Sequence, residues 1–479
     1  MSDNKLNVLL YDRQVGTMEQ GRDGVFFTYS STWLDDVRNG RGGHALSISM
    51  PLTEREHGPR VVEPFIAGLL PDSAVHRRKI AESFGIDPGH ESDFEFLRKI
   101  GRDCAGAVVF TDPSDPYAGI REPPKLKRLG DEELAHYLRD LPKRPLVDDP
   151  ETGTRLSLAG VNDKTAVVIS GGVVSLPLNG FPSSHILKVD IAGLKDSIKT
   201  EHFCLRLAEA CGIRVPKSSI HQVEDVVYMR VARYDRRLQV REGGGAVLIR
   251  AHQEDMCQAM AIHPESKYED NRYTPGPGWK DMAEIMKMME RPAVDQAGLL
   301  DRALFQYLSG NPDAHGKNYA IRYSPNGQMS LSPLYDLNNQ AAFAVNYTSV
   351  KPRMAMAVGR DRDNPEKGEF WRTRITRDHW ADFAKDMGMP AAHVLKKLDE
   401  MTTRIGAAVG TLREEFRHTL SDTPLLDVIV EDIAGRADAV RHNRPEPERQ
   451  QFRTPTSASA DAPRVDPPRP VPKGPSMGM

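Results

Sequence analysis

The segment Gly310-Asn-Pro-Asp-Ala-His-Gly-Lys-Asn318 is the most informative stretch of this 479-residue chain. It follows an apolar stripe of Leu300, Leu304, Tyr307 and Leu308, expected of a helix over Gln296–Ser309, and Gly310 should end that helix. A loop anchored in this way presents polar groups from a rigid scaffold, as a catalytic loop does. Asp313 and Asn318 stand five residues apart, the interval between the base-position aspartate and the metal-binding asparagine of protein-kinase catalytic loops. A strand expected over Met329–Leu334 then leads to Asp336, within hairpin reach of Asn318. Two carboxylates held about 4 Å apart would repel by about 4 kcal/mol at an effective dielectric of about 20, and a divalent cation removes that penalty. Magnesium suits hard oxygen ligands such as Asn318 and Asp336 and leaves its other positions to water and phosphate. Taken singly, Asn311, Asp313, Asn318 and Asp336 also read as turn formers and caps; their order favours a site.

Phosphate binding calls for donors upstream. In Arg155-Leu-Ser-Leu-Ala-Gly-Val-Asn-Asp-Lys164, Gly160 allows close backbone approach, while Ser157, Asn162 and Lys164 offer donors. The apolar strand His185–Val189 is interrupted by Lys188, whose neighbours Leu187 and Val189 face the other way. A strand lysine is commonly a solvated edge residue, but Glu201 falls on the buried stripe of the next helix and offers a partner. A strand lysine paired to a helix glutamate is the ion pair that aligns phosphates in kinases. Neither Gly-x-x-x-x-Gly-Lys-[Ser/Thr] nor Gly-x-Gly-x-x-Gly occurs, which argues against a P-loop or Rossmann site. His252, Glu254, Asp255 and Cys257 lack the spacing of a zinc site.

The elements that must position these residues fall into blocks. Short apolar runs at Asn7–Tyr11, Val25–Tyr29 and Ala45–Met50 read as strands, and His76–Phe84 and Asp93–Gly101 as helices. A polar, proline-bearing connector with one helix at Asp131–Leu141 follows. Lys164–Ser170, His185–Val189 and Val226–Val231 form a second sheet, with a helix from Thr200, as N-cap, to Cys211, stopped by Gly212. Beyond Asp235 helices dominate: Asp281–Glu290, Gln296–Ser309, His379–Met387, Ala391–Phe416 and Leu425–Ala439. Pro445–Met479 is proline-rich without an aliphatic cluster and reads as disordered.

Lys and Arg number 64 against 67 Asp and Glu, a net charge of −3, which excludes a chain-wide basic surface for nucleic acid. Four cysteines without a Cys-x-x-Cys pair fit a reducing cytoplasm. Neither a signal peptide nor a membrane span is expected.

With these motifs in view, the chain resembles the HipA-type serine/threonine kinases, the toxins of bacterial HipBA toxin–antitoxin modules. The resemblance runs from about residue 6 to 440, through Ile100-Gly-Arg-Asp-Cys-Ala-Gly106, Ser157–Lys164, His252-Gln-Glu-Asp-Met-Cys-Gln258, Asn311–Asn318 and Pro333-Leu-Tyr-Asp336. It implies an α+β, two-lobed protein-kinase-like fold with an added N-terminal α/β subdomain and an all-helical C-lobe. The blocks become an N-terminal subdomain (1–112), a connector (113–154), a kinase N-lobe (155–235), a C-lobe (236–440) and a tail (441–479). The resemblance also implies ATP and Mg²⁺ between the lobes. Asp313 would orient the substrate hydroxyl, with His315 and Lys317 in the catalytic set, and Asn318 and Asp336 would hold magnesium. Lys188 would contact phosphates beside Ser157, Gly160, Asn162 and Lys164, and Tyr228–Tyr234, including Met229 and Val231, would offer hinge backbone to adenine. Ser157 matches a serine whose autophosphorylation expels the phosphate loop in this family, adding nearly two negative charges where ATP phosphates sit. The expected partners are a HipB-like helix-turn-helix antitoxin, DNA only through that antitoxin, and a protein substrate such as an aminoacyl-tRNA synthetase. Ala232 departs from the acidic hinge residue frequent in the family, and Glu201 rests on stripe geometry. Two rival readings are a catalytically silent, kinase-shaped antitoxin binder and a metal-dependent phosphohydrolase using Asp313, His315 and Asp336.

Overall fold

The computed structural model describes residues 4–87, 89, 91–114, 125–141, 164–178, 180–240, 246–271, 273–345 and 351–446. Ser157, Gly160 and Asn162 lie outside the described residues, as does the chain beyond 446.

A five-stranded antiparallel sheet forms the N-terminal subdomain, in the order Glu56–His57, Gly24–Tyr29, Arg13–Gly21, Lys5–Leu10, Val108–Thr111. Its inward side chains, among them Leu6, Val8, Leu10 and Phe27, meet Phe65 of helix Pro59–Gly68 and Phe94 and Leu97 of helix Asp93–Ile100 in one core. Ala45–Met50 is not a strand: it is a tight turn closed by the Ser47–Met50 bridge. Leu46 and Met50 enter this core and Ile48 packs against that of the C-terminal half, while the Ser47 hydroxyl donates to Glu254, so a turn held between two cores carries the apolar alternation of a strand.

A second, six-stranded antiparallel sheet runs in the order Ser218–Val223, Val226–Ala232, His185–Lys188, Lys164–Ser170, Val173–Pro177, Leu126–Arg128. One face buries Val167, Val174, Leu187 and Tyr228 against Leu134 and Leu138 of helix Asp131–Asp140. Residues opposed across antiparallel strands share a face, so the pairings Lys164–Lys188 and Lys188–Met229 put these side chains on the other face, towards helix Ser197–Ala210. That helix starts three residues before the expected Thr200 cap. Asp190 caps it from outside, accepting from Ile198 N at 3.1 Å and the Ser197 hydroxyl at 3.2 Å. Thr200 sits inside the first turn and donates back to the Ser197 carbonyl at 2.8 Å. The stripe Cys204, Leu207, Ala208 and Cys211 enters the core of the C-terminal half, so this helix bridges the two lobes.

That half is built on helices Trp279–Met286, Pro292–Ser309, Arg377–Asp386, Ala391–Phe416 and Leu425–Arg441. The lobe expected to be all-helical also carries a three-stranded sheet, Gln253–Asp255, Ala320–Tyr323 and Met329–Leu331, and a ribbon of Arg236–Val240 with Ala246–Arg250. These strands are three to five residues long, too short for a periodic signal. Glu446, inside the stretch expected to be disordered, is ion-paired to Arg372 at 2.8 Å and to Arg436. Two buried guanidinium groups require a carboxylate, and Glu446 joins Asp432 in supplying it.

The N-terminal subdomain is welded to the hinge by buried charge. Asp103 accepts from Arg236 at 2.7 Å and from the Ser183 hydroxyl at 2.6 Å, with Arg233 at 3.4 Å. Asp235 pairs with Arg233 at 2.7 Å and Arg236 at 2.9 Å, and also accepts from Gly106 N. Gly106 has φ 80°, and a Cβ there would stand 2.9 Å from Gln253 N, so this close approach requires glycine. His252 and Glu254 complete the dock: His252 Nε2 bonds Leu46 O at 2.8 Å, and Glu254 accepts from Ile48 N and the Tyr323 hydroxyl.

Candidate active site

Helix Pro292–Ser309 ends at Gly310 in the left-handed conformation, φ 73°. A Cβ on Gly310 would lie 2.7 Å from Arg436 Nη2 and 2.8 Å from Asp432 Oδ2, so the loop begins on top of this buried ion pair. Asn339 Nδ2 and Arg436 Nη1 donate to the carbonyls of Ser309 and Leu308, satisfying the helix end. Beyond it Asn311 Oδ1 accepts from Asp313 N, and a 3₁₀ turn, Gly316–Asn318, returns Asn318 Nδ2 to the Asp313 carbonyl at 2.7 Å. The five-residue spacing is thus closed by a hydrogen bond. The hairpin of Ala320–Tyr323 with Met329–Leu331 then carries the chain back, and Asp336 follows at φ 58°. A non-glycine residue in that region costs about 1 kcal/mol or more and persists where its surroundings fix it.

Asp313, Asn318 and Asp336 face one cavity of about 240 Å³ between the lobes. From the sheet come Lys164, Lys188 and Val231; from the bridging helix, Glu201; from the C-terminal half, Asp313, His315, Lys317, Asn318 and Asp336. Met229 does not line it: it is fully buried with Ile198 and Val231 beneath the bridging helix. The hinge segment that does reach the cavity is Val231–Asp235, with Tyr234 stacked on Tyr335 at 5.7 Å.

Lys188 Nζ lies 2.6 Å from Glu201 Oε1 and 3.6 Å from Asp336 Oδ1. Burial pushes the lysine down, but Glu201 and Asp336 outweigh it and hold Lys188 above its ordinary range. Burial likewise pushes Asp336 up, and Lys188 and Lys164 overcome it, keeping the carboxyl below its usual range. Lys164 is pushed down to about 8 by burial and by Lys188. At the other end, burial raises the Asp313 carboxyl, partly offset by the Tyr268 hydroxyl donating to Oδ1 at 2.6 Å. His315 lies 3.9 Å from Asp313 Oδ2 and is pushed down to about 3 by burial and Lys267, a neutral imidazole near pH 7. Among the described residues no cluster of three or more His, Cys, Asp or Glu could hold a metal ion. The donors fit magnesium nonetheless: Asp336 is an ionised carboxylate facing the cavity. Asn318 spends its NH₂ on Asp313 O, which leaves its carbonyl oxygen as an acceptor. One carboxylate and one amide suit an ion that shares its shell with substrate phosphates.

Asp72, Lys267 and Tyr268 also line or border this cavity and carry no motif in the sequence. Asp72 reads as a turn residue before a helix, and Lys267 and Tyr268 lie in an aperiodic loop; only tertiary pairing across about 200 residues joins them.

A sheet lobe and a helical lobe closing on a Lys–Glu pair and an Asp–Asn loop define a kinase-like protein of two lobes. Residues 156–409 match the HipA-like C-terminal domain and residues 6–111 the HipA N-terminal domain; the chain belongs to the HipA kinase family. It is 34% identical to the Sinorhizobium fredii protein Y4mE over 92% of this chain and 99% of that one. It is 28% identical to the serine/threonine-protein kinase toxin HipA of Shewanella oneidensis, over 84% of this chain and 88% of that one. The Shewanella oneidensis HipA structure, solved with HipB and operator DNA, superposes with a TM-score of 0.75 at 25% identity, covering 91% of this chain and 97% of that one. No helix among the described residues is long and apolar enough to cross a membrane.

Proposed function

We propose that this chain is an ATP- and Mg²⁺-dependent protein serine/threonine kinase, the toxin of a toxin–antitoxin module. The observation that carries the reading is Lys188, drawn from the sheet lobe, reaching both Glu201 and Asp336 in the cavity that also holds Asp313 and Asn318. Catalysis of phosphoryl transfer is mainly positioning and charge stabilisation. Glu201 holds the Lys188 ammonium against the cavity so that it meets phosphate without reorganising. Asp313, fixed by Tyr268 and by the turn to Asn318, accepts the proton of the acceptor hydroxyl. Asn318 and Asp336 take the magnesium, which when bound neutralises charge on the phosphoryl oxygens.

The family relationship supports a HipB-like antitoxin as partner, with DNA reached only through it, and a protein substrate such as an aminoacyl-tRNA synthetase. Autophosphorylation at Ser157 would then silence the enzyme and growth inhibition would be its cellular effect. Incubation of the full chain with ATP, Mg²⁺ and a cell extract, followed by intact mass and phosphopeptide mapping, tests the reading. Phosphoserine on Ser157 and on an extract protein, both lost in Asp313→Ala, is expected; ATP binding without any phosphoprotein would favour the silent binder.

A further inference from the structure

At the acceptor end of the cavity, a carboxylate from the N-terminal subdomain sits between two lysines of the C-terminal half. Asp72 Oδ1 is paired with Lys317, and Oδ2 lies 3.1 Å from Lys267. We propose that Lys267 and Lys317 form a subsite for a phosphate-class dianion and that Asp72 is its built-in competitor; the inference rests on the kinase reading for its place in turnover.

The site is built from fixed parts. Lys317 is held in the 3₁₀ turn beside Asn318, its carbonyl accepting from the Tyr335 hydroxyl at 2.7 Å. The Lys267 carbonyl accepts from Gly316 N at 3.1 Å, and its ammonium lies 5.7 Å from the Tyr268 ring centre, over the face that favours a cation. Asp72 comes from the short link between helices Pro59–Gly68 and Ala74–Phe84, where Ser73 caps the second helix. All three side chains are at most 17% exposed. Buried ammonium groups need counter-charge; Asp72 pairs directly with both, while Asp255 and Asp313 act on Lys317 and Lys267 from further off.

Asp72 gives one oxygen to each lysine, the arrangement that two oxygens of a phosphate adopt with charge assistance. A phosphate carries up to two charges and matches the pair better than a carboxylate does. The three residues line the same cavity as Asp313 and His315, and Lys267 acts on both of these, so the anion would lie beside the acceptor hydroxyl. A phosphate held there displaces Asp72 and loosens the contact between the N-terminal subdomain and the loop, coupling subdomain docking to occupancy of the acceptor end.

Orthophosphate, titrated calorimetrically into the full chain at constant ionic strength, tests this. Asp72→Asn should bind it at least tenfold more tightly than the parent chain, and adding Lys267→Gln should abolish that gain. Unchanged or weaker binding in Asp72→Asn overturns the proposal. Should that variant not fold, Lys267→Gln alone keeps the Asp72–Lys317 pair and must weaken phosphate binding at least tenfold; binding indifferent to it refutes the subsite. The readout needs no nucleotide. A chain that shows this pattern without phosphotransfer loses the kinase reading and keeps the subsite, while active transfer with phosphate binding insensitive to both changes does the reverse.

Discussion

Glu201→Gln isolates the charge that holds Lys188. The amide keeps the size of the side chain and leaves a buried ammonium with one acidic neighbour. At an effective dielectric of about 20, the 2.6 Å contact to Glu201 is worth about 6 kcal/mol of Coulomb attraction and the 3.6 Å contact to Asp336 about 5 kcal/mol. Desolvation offsets most of this, and breaking one side of a buried pair costs about 3 kcal/mol net. The ammonium should then swing onto Asp336 and neutralise the carboxylate assigned to magnesium. Urea denaturation should show the loss in stability, and calorimetry with ATP and Mg²⁺ a drop in affinity of at least tenfold. Both values unchanged would refute the claim that Glu201 positions the lysine.

Two further outcomes follow from the buried polar clusters. Asp103→Asn leaves Arg233 and Arg236 with Asp235 and Arg250 with the exposed Asp12 at 3.9 Å and should cost about 3–5 kcal/mol. Burial pushes Asp103 up, but the three arginines hold it below the ordinary carboxylate range. Its contribution is therefore present above about pH 4 and is lost as pH falls towards the folded-state value, so the deficit of the variant in urea should shrink below pH 4. Gly310→Ala places a methyl 2.7 Å from Arg436 in a backbone at φ 73°. A loss of about 1–3 kcal/mol, with faster amide exchange in the 311–318 loop than in the parent chain, is expected; a neutral substitution would show that the buried pair does not support the loop.

Local chemistry was legible where a residue's role depends on its neighbours in sequence. The stripe at Leu300, Leu304, Tyr307 and Leu308, the Gly310 stop and the Asp313–Asn318 spacing are local, and the structure closes them with local bonds. Glu201 could be placed because a helical stripe fixes which face it occupies. What the pattern missed is non-local. Asp190 caps a helix from the preceding strand end, which moves the helix start from Thr200 to Ser197. Met229, which the family resemblance puts in the adenine hinge, is covered by the bridging helix. Asp72 and Lys267 look like turn and loop residues until two subdomains meet, and Glu446 looks like tail until Arg372 and Arg436 are buried beside it.

Phosphoryl transfer to a hydroxyl oriented by Asp313 is the central step. Single-turnover transfer from γ-labelled ATP to protein serine, measured beside ATP affinity in the parent chain and in Asp313→Asn, tests it most directly. Transfer should fall by about a thousandfold or more, with ATP affinity within about threefold, because Asp313 acts on the hydroxyl and not on the nucleotide. Transfer at the parent rate in Asp313→Asn would contradict it.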